Sequence, residues 1–315
     1  MSRVTKNPSH KPILAILRKQ WSLQAIILIG LIYLIIFSYT PMVGIIIAFK
    51  SFKLSTGVIG FFTSPWVGLK WFNEFVTDYM FVDIIRNTVV LSALKIFIAF
   101  PLPIIFALMV NEIRRPLFKR FVQTSSYLPH FISWIIVTGL VFTMFSTVNG
   151  LINELLLKFH LVEKAVPILT DAKYYWNMAI FSEIWKEVGW RAIIFIAAIS
   201  GVDAAMYEAA EIDGASRLQR IWHITLPSIR GTIVIMLILS MSGLVNGNLE
   251  QARLLGNTIN RERSDIIQSY VLRVGLVDFR FDYAAAVGLM QSVISVILVF
   301  GSNWLSRKIS GDALY

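Results

Sequence analysis

The chain has 315 residues, of which 56% are hydrophobic and only 15% charged, and it carries a formal charge of +10 with no cysteine. A soluble domain has roughly 25% charged residues, so this composition excludes an ordinary soluble enzyme and points to a bilayer; the missing cysteine excludes a disulfide scaffold, a cysteine-ligated zinc site and a thiol nucleophile. In so apolar a chain Lys and Arg mark the cytoplasmic side of spanning segments rather than a nucleic-acid surface, and the four His fall in no metal-ligand spacing, so no metal site is expected.

A helix needs about 20 mostly apolar residues to cross the hydrocarbon core. Uncharged stretches place six spans, at about 22–47, 84–110, 121–146, 177–201, 229–249 and 283–306. The first follows a basic segment, 1–20, but offers no small-residue cleavage site, so it reads as a span that is kept. Pro41 lies near its outer end. The second carries Arg86 near one end and Lys95 inside. Pro129 predicts a kink in the third. The fourth contains Glu183, Lys186, Glu187 and Arg191, and is assigned because "AIIFIAAIS" is apolar and its neighbours need a crossing between them. The expected organisation is a cytoplasmic segment 1–20, a membrane domain 21–307 with a polar loop 203–228, and a tail 308–315.

Six spans put both ends on one side. Arg3, Lys6, Lys11, Arg18 and Lys19 precede the first span; Arg114, Arg115, Lys119 and Arg120 follow the second; Arg217, Arg220 and Arg230 flank the polar loop; Arg307 and Lys308 follow the last. This bias puts both termini and the polar loop in the cytoplasm. The outer loops, roughly 50–83, 147–176 and 250–282, contain "GFFTSPWVGLKWF" and "LINELLLKFHL". Such pieces suit either interfacial helices on the bilayer or a docking surface. No repeat of 20–50 residues is present, nor a strong inverted repeat of the secondary-transporter kind.

No G-x-x-x-x-G-K-[ST] loop, G-x-S-x-G elbow, H-E-x-x-H pair or kinase set occurs. The chain is therefore expected to be no enzyme and to bind no cofactor itself. If it moves solute uphill, the energy comes from a partner or an ion gradient.

The polar loop holds "YEAAEIDGASRLQRIWHITLPSI", residues 207–229. Asp203 suits an N-cap for the helix "AAMYEAAEI", Ala residues favour helix and close approach, and Gly214 permits a helix end or sharp turn. Leu218, Ile221, Trp222 and Thr225 form a second amphipathic stretch, and Pro227 is tolerated in a first turn. The product is a short helix-turn-helix tied to spans four and five.

Glu208-Ala209-Ala210, then Gly214 within Asp213-Gly214-Ala215, then Ile224-x-Leu226-Pro227 resembles the EAA motif of permease subunits in binding-protein-dependent ABC importers. The stretches "RNTVVLS", "FKRFVQTSSYLPHFISW", "NGLIN", "IWKEVGWRAIIFIAAISGVD" and "AAAVGLMQSVISVILVFGSNWLSRK" are similar to the oligosaccharide and polysaccharide branch, so the likeness covers nearly the whole chain. One departure is Arg230-Gly231 after "LPSI", where many relatives place a second Pro.

The resemblance implies an all-α integral membrane protein of the type I ABC importer permease fold, in the bacterial cytoplasmic (inner) membrane. It implies a second permease subunit, two cytoplasmic ATPase subunits that bind ATP and Mg, and an extracytoplasmic solute-binding protein that delivers an oligosaccharide. Glu208 would make the charged contact with an ATPase subunit, Ala209 and Ala210 would allow close docking, and Gly214 would form the turn. A permease for a non-sugar solute such as a peptide is the alternative within the family; an ion-coupled carrier is the alternative outside it.

Charged and polar residues inside spans face the bundle interior or water. Glu183, Glu187 and Arg191 stand four apart on one stripe with Trp190, either as an intrahelical salt-bridge ladder or as pore lining. Ser240, Ser242, Asn246, Asn248 and Gln251 offer hydroxyl and amide partners toward the end of span five, and Gln291 and Ser295 do so in span six. Asn246 and Asn248 are the foremost sugar-contact candidates, with helix packing as the alternative. Arg86, Lys95 and Arg191 suit an acidic sugar, or snorkel to the interface.

Overall fold

A computed structural model describes residues 20–244 and 248–310. Among the described residues there is no strand, only helices and one isolated bridge between Lys50 and Trp66. Helix α1, Trp21–Phe49, is apolar all round and touches the rest of the fold only toward its end. Then come α2 (Lys70–Thr77), α3 (Phe81–Asn111), α4 (Pro116–Phe131), α5 (Trp134–Phe145), α6 (Leu151–Lys158) and α7 (Tyr175–Ser200). The polar loop forms α8 (Ala204–Ile212) and α9 (Arg217–Ser228). Helices α10 (Arg230–Leu244), α11 (Leu249–Leu255), α12 (Ile267–Leu276) and α13 (Phe281–Ser310) complete the order.

Among the described residues three segments, Trp21–Phe49, Phe81–Asn111 and Phe281–Gly301, are long and apolar enough to cross a bilayer alone; counting each of three bent pairs as one span brings the total to as many as six. Helices α4 and α5 meet at 102°, so the kink expected at Pro129 is a full break between two helices. The break falls after Pro129, at Ile132 and Ser133, which are extended. Ser133 caps α5 by accepting from the Ile136 N–H, a standard N-terminal signal. Span five is corrected. Helix α10 ends at Leu244 among the described residues, and Asn248 caps a separate helix, α11, by accepting from the Gln251 N–H at 3.1 Å.

Three helices share one irregularity. A five-residue wide turn runs over Ile35–Tyr39, Lys95–Ala99 and Ile221–Thr225. Each ends two residues before a proline: Pro41, Pro101 and Pro227. In each case the residue just before the proline donates its N–H five residues back, Thr40 to Ile35, Phe100 to Lys95 and Leu226 to Ile221. A proline ring clashes with the carbonyl four residues earlier, and a wide turn is one way a helix accommodates it.

The membrane core joins α3 to α7 and the start of α10. Ala107 and Ala192 are fully buried there, with Phe195, Ile199 and Ile229 around them. Small residues let the helix backbones approach closely. Gly189 does the same between α7 and α4: a Cβ built on it would lie 2.1 Å from the Ser126 carbonyl oxygen.

At the pole opposite α8 and α9, the loops around 50–83 and 250–282 interlock. Trp71, Phe75, Ile84, Ile267, Tyr270, Val274, Tyr283 and Val287 form one buried cluster. The Tyr270 hydroxyl donates to Asp78 Oδ2 at 2.8 Å and shares a bond with the Tyr283 hydroxyl at 3.0 Å; Arg280 pairs with Glu74 at 2.6 Å. Asn87 donates to the Glu262 and Asp265 carbonyls, both at 2.9 Å. Burial, reinforced by the Tyr283 and Asp78 bonds, pushes the Tyr270 phenol well above its ordinary pKa. These loops pack on each other and on α3 and α13 as a folded cap.

Candidate functional site

Two regions carry the residues singled out in the sequence. The first is the α8–α9 hairpin. Asp203 accepts from the Ala205 N–H at 2.9 Å and starts α8. Gly214 ends it with φ +74°, a left-handed conformation that favours glycine, and Ala215 donates back to the Ala210 carbonyl at 2.9 Å. Ser216 and Gln219 then form a reciprocal capping box that starts α9. Two side-chain ties brace the hairpin. The Tyr207 hydroxyl shares a 2.9 Å hydrogen bond with Thr225 Oγ1, which is buried in the wide turn of α9, and Arg220 contacts Glu211 at 3.3 Å. Arg217 lies 3.9 Å from Glu112 at the end of α3.

The hairpin is held at 71° to α7 and 63° to α10. Its outer face carries Glu208, Ala209, Ile212, Asp213 and Pro227. Ile212 is 88% exposed. A braced hairpin that presents a protruding isoleucine and an exposed carboxylate is the shape of a ridge. Ala210, Ala215, Ile224 and Leu226 are half-buried and hold that ridge to its frame.

The second region is a cavity of about 580 Å³ between α3, α7 and α10, closed on one side by Asn248, Leu249 and Gln268 of α12. Lys95, Phe100, Glu183, Arg191, Ser240 and Gly243 line it. Glu183 is 3% exposed. Its Oε1 accepts from Arg191 Nη2 at 3.0 Å. Its Oε2 sits 3.0 Å from Lys95 Nζ, an ion pair that falls outside hydrogen-bond geometry. One carboxylate thus stands between two cations, and the cavity wall is net positive.

The family description "Binding-protein-dependent transport system inner membrane component" matches residues 99–311, about two-thirds of the chain and the whole of the hairpin. The chain belongs to this family. It is a permease subunit of a binding-protein-dependent ABC importer, with the type I permease fold. Among curated relatives, the permease is 41% identical to Protein LplB of Bacillus subtilis (strain 168) over 96% of this chain and 93% of that one. It is 42% identical to the polygalacturonan/rhamnogalacturonan transport system permease protein YteP of the same organism, over 99% and 96%. Among solved structures, it superposes with a TM-score of 0.88 at 36% identity on a chain of a bacterial ABC transporter involved in the import of the acidic polysaccharide alginate, covering 95% of this chain and all of that one. A bacterial alginate ABC transporter in complex with alginate pentasaccharide-bound periplasmic protein gives 0.87 at 34%, over 96% of this chain.

The fold places the remaining sequence candidates unevenly. Asn248 lines the cavity, though from a helix cap and not from span five. Gln251 is spent on structure: buried, it donates to the Ala179 carbonyl at 2.6 Å and to Ser182 Oγ at 3.0 Å, tying α11 to α7. Gln291 is buried in α13 and is not among the cavity's lining residues. Asn246 and the side chain of Ser242 lie outside the described residues.

The stripe on α7 splits. Glu183 and Arg191 face the cavity, whereas Glu187 Oε2 lies in hydrogen-bond contact with His130 Nδ1 at 2.9 Å, and Trp190 stacks on the His130 ring at 4.3 Å. Steps of four residues drift about 40° on a helix of 3.6 residues per turn, enough to give Glu187 a different neighbour. Of the three basic candidates, Lys95 and Arg191 both pair with Glu183, while Arg86 pairs with Asp83 at 2.9 Å near the cap. Gln268 had no signal in the sequence, because it reaches the cavity only through the folding of an outer loop.

Proposed function

We propose that this permease carries uronate-bearing oligosaccharides through the Lys95–Glu183–Arg191 cavity. It does so as one of two homologous membrane subunits, powered by two ATPase subunits docked on the α8–α9 ridge. ATP and Mg bind to those partners, an extracytoplasmic solute-binding protein delivers the substrate, and both termini lie in the cytoplasm. The observation that carries the reading is the net positive cavity wall. Arg presents planar paired donors to carboxylates and Lys a compact charge. The likeness to a polygalacturonan/rhamnogalacturonan permease and to an importer of the acidic polysaccharide alginate supports the same chemistry.

The test is uptake by the complete importer in proteoliposomes, with its binding protein, of tetragalacturonate against its methyl ester. The acid is expected to be transported at a higher maximal rate, and only with ATP inside. Equal rates for acid and ester would overturn the acidic assignment; ATP-independent uptake would overturn the coupling.

The Tyr207–Thr225 tie makes a second expectation. Tyr207→Phe removes one hydrogen bond, a loss of about 1 kcal/mol, from the brace between α8 and α9. ATP hydrolysis by the assembled complex is expected to persist, while sugar moved per ATP falls roughly fivefold. An unchanged ratio would mean that the brace transmits nothing.

A further inference from the structure

Glu183 is an acidic side chain buried in a membrane-crossing helix, and such groups persist only when cations compensate them. Two do, from two different helices, and neither holds it fully. Arg191 offers a single nitrogen, Nη2, although a guanidinium has five N–H groups, and it is partly exposed to the cavity. Lys95 sits at 3.0 Å without hydrogen-bond geometry. Among the described lining residues the remaining polar groups, Ser240, Asn248 and Gln268, are uncharged.

We propose that Glu183 is a built-in counter-ion that occupies the seat a substrate carboxylate takes between Lys95 and Arg191. This deepens, and rests on, the acidic-oligosaccharide reading above. A passing uronate exchanges with Glu183 on the two cations, so neither cation is left bare at any stage. When Glu183 returns, it expels the sugar carboxylate. Two buried cations without such a competitor would hold a polyanion too firmly, and conduction needs sites that release as readily as they bind. Glu183 therefore sets selectivity by competition rather than by contact.

The experiment compares the parent, Glu183→Gln and Glu183→Asp in the assembled permease–ATPase complex. Binding of tetragalacturonate and of its methyl ester is measured by titration calorimetry in detergent, without binding protein. Maximal uptake of each is measured in proteoliposomes. Glu183→Gln is expected to tighten acid binding on the order of tenfold and to slow maximal acid uptake, with the ester little changed in both. Glu183→Asp is expected to keep the parent's acid-to-ester ratio.

Weaker acid binding in Glu183→Gln, or acid and ester changing together, would overturn the proposal and leave Glu183 a structural ion pair. If Glu183→Gln does not assemble, Lys95→Gln replaces it: the acid is then expected to bind more weakly relative to the ester, and an unchanged ratio overturns the proposal. A parent that does not distinguish acid from ester sinks the acidic-substrate reading itself, which the parent's ratio alone reports.

Discussion

Glu208→Lys is expected to abolish ATP-driven uptake while leaving the permease in the membrane. Glu208 is exposed on α8, beside Ala209 and four residues before the protruding Ile212. Its removal therefore costs the chain's own fold little. At a docked interface the reversed charge is costly, because like charges set together are worth several kcal/mol. That corresponds to a loss of about a hundredfold or more in functional association. Uptake in proteoliposomes and co-purification of the ATPase subunits are the measurements. Normal uptake together with normal ATPase activity would remove Glu208 from the docking ridge.

Gly189→Val should act on stability instead. The contact it would violate is with backbone: Ser126 O at 2.1 Å and Ser126 C at 2.4 Å from the built Cβ. No side-chain rotation relieves such a clash, so α7 and α4 must part. The cost expected is roughly 3 kcal/mol, the upper end of the overpacking range, and a fall in the unfolding temperature of about 5 °C or more in detergent. Because α4 also carries His130, which stacks on Trp190, the damage should spread along that seam. An unfolding temperature within a degree of the parent would mean that the two helices are not in contact there.

The parts of this architecture that were legible in the sequence are the locally determined ones. Apolar stretches located the long helices to within a few residues, except where a short polar side chain redirected the chain. Ser133 looks unremarkable in an apolar run and Asn248 reads as a sugar contact, yet each caps a new helix. Asp203 and Gly214 were legible because a cap and a left-handed turn need only their own neighbours. The cavity was half legible. Lys95, Glu183 and Arg191 each stood out as charges inside apolar helices. That Lys95 meets Glu183, 88 positions later, depends on how α3 packs on α7. The cap was not legible as a folded unit, because Asp78 finds Tyr270 across 192 residues.

The wide turns before Pro41, Pro101 and Pro227 bear on how the permease tolerates changes in length. Each holds one residue more than an ordinary turn needs, so each helix carries a surplus residue pinned by its proline. Rewinding one to regular geometry would rotate everything beyond it by about 100°. In α3 that rotation would swing Ala107 and Val110 out of their packed positions relative to Lys95. The prolines thus act as keys that fix angular phase: in α3, the one of the three that lines the cavity among the described residues, Pro101 fixes how the helix beyond Lys95 is turned, and a single-residue deletion near it is felt down the rest of that helix.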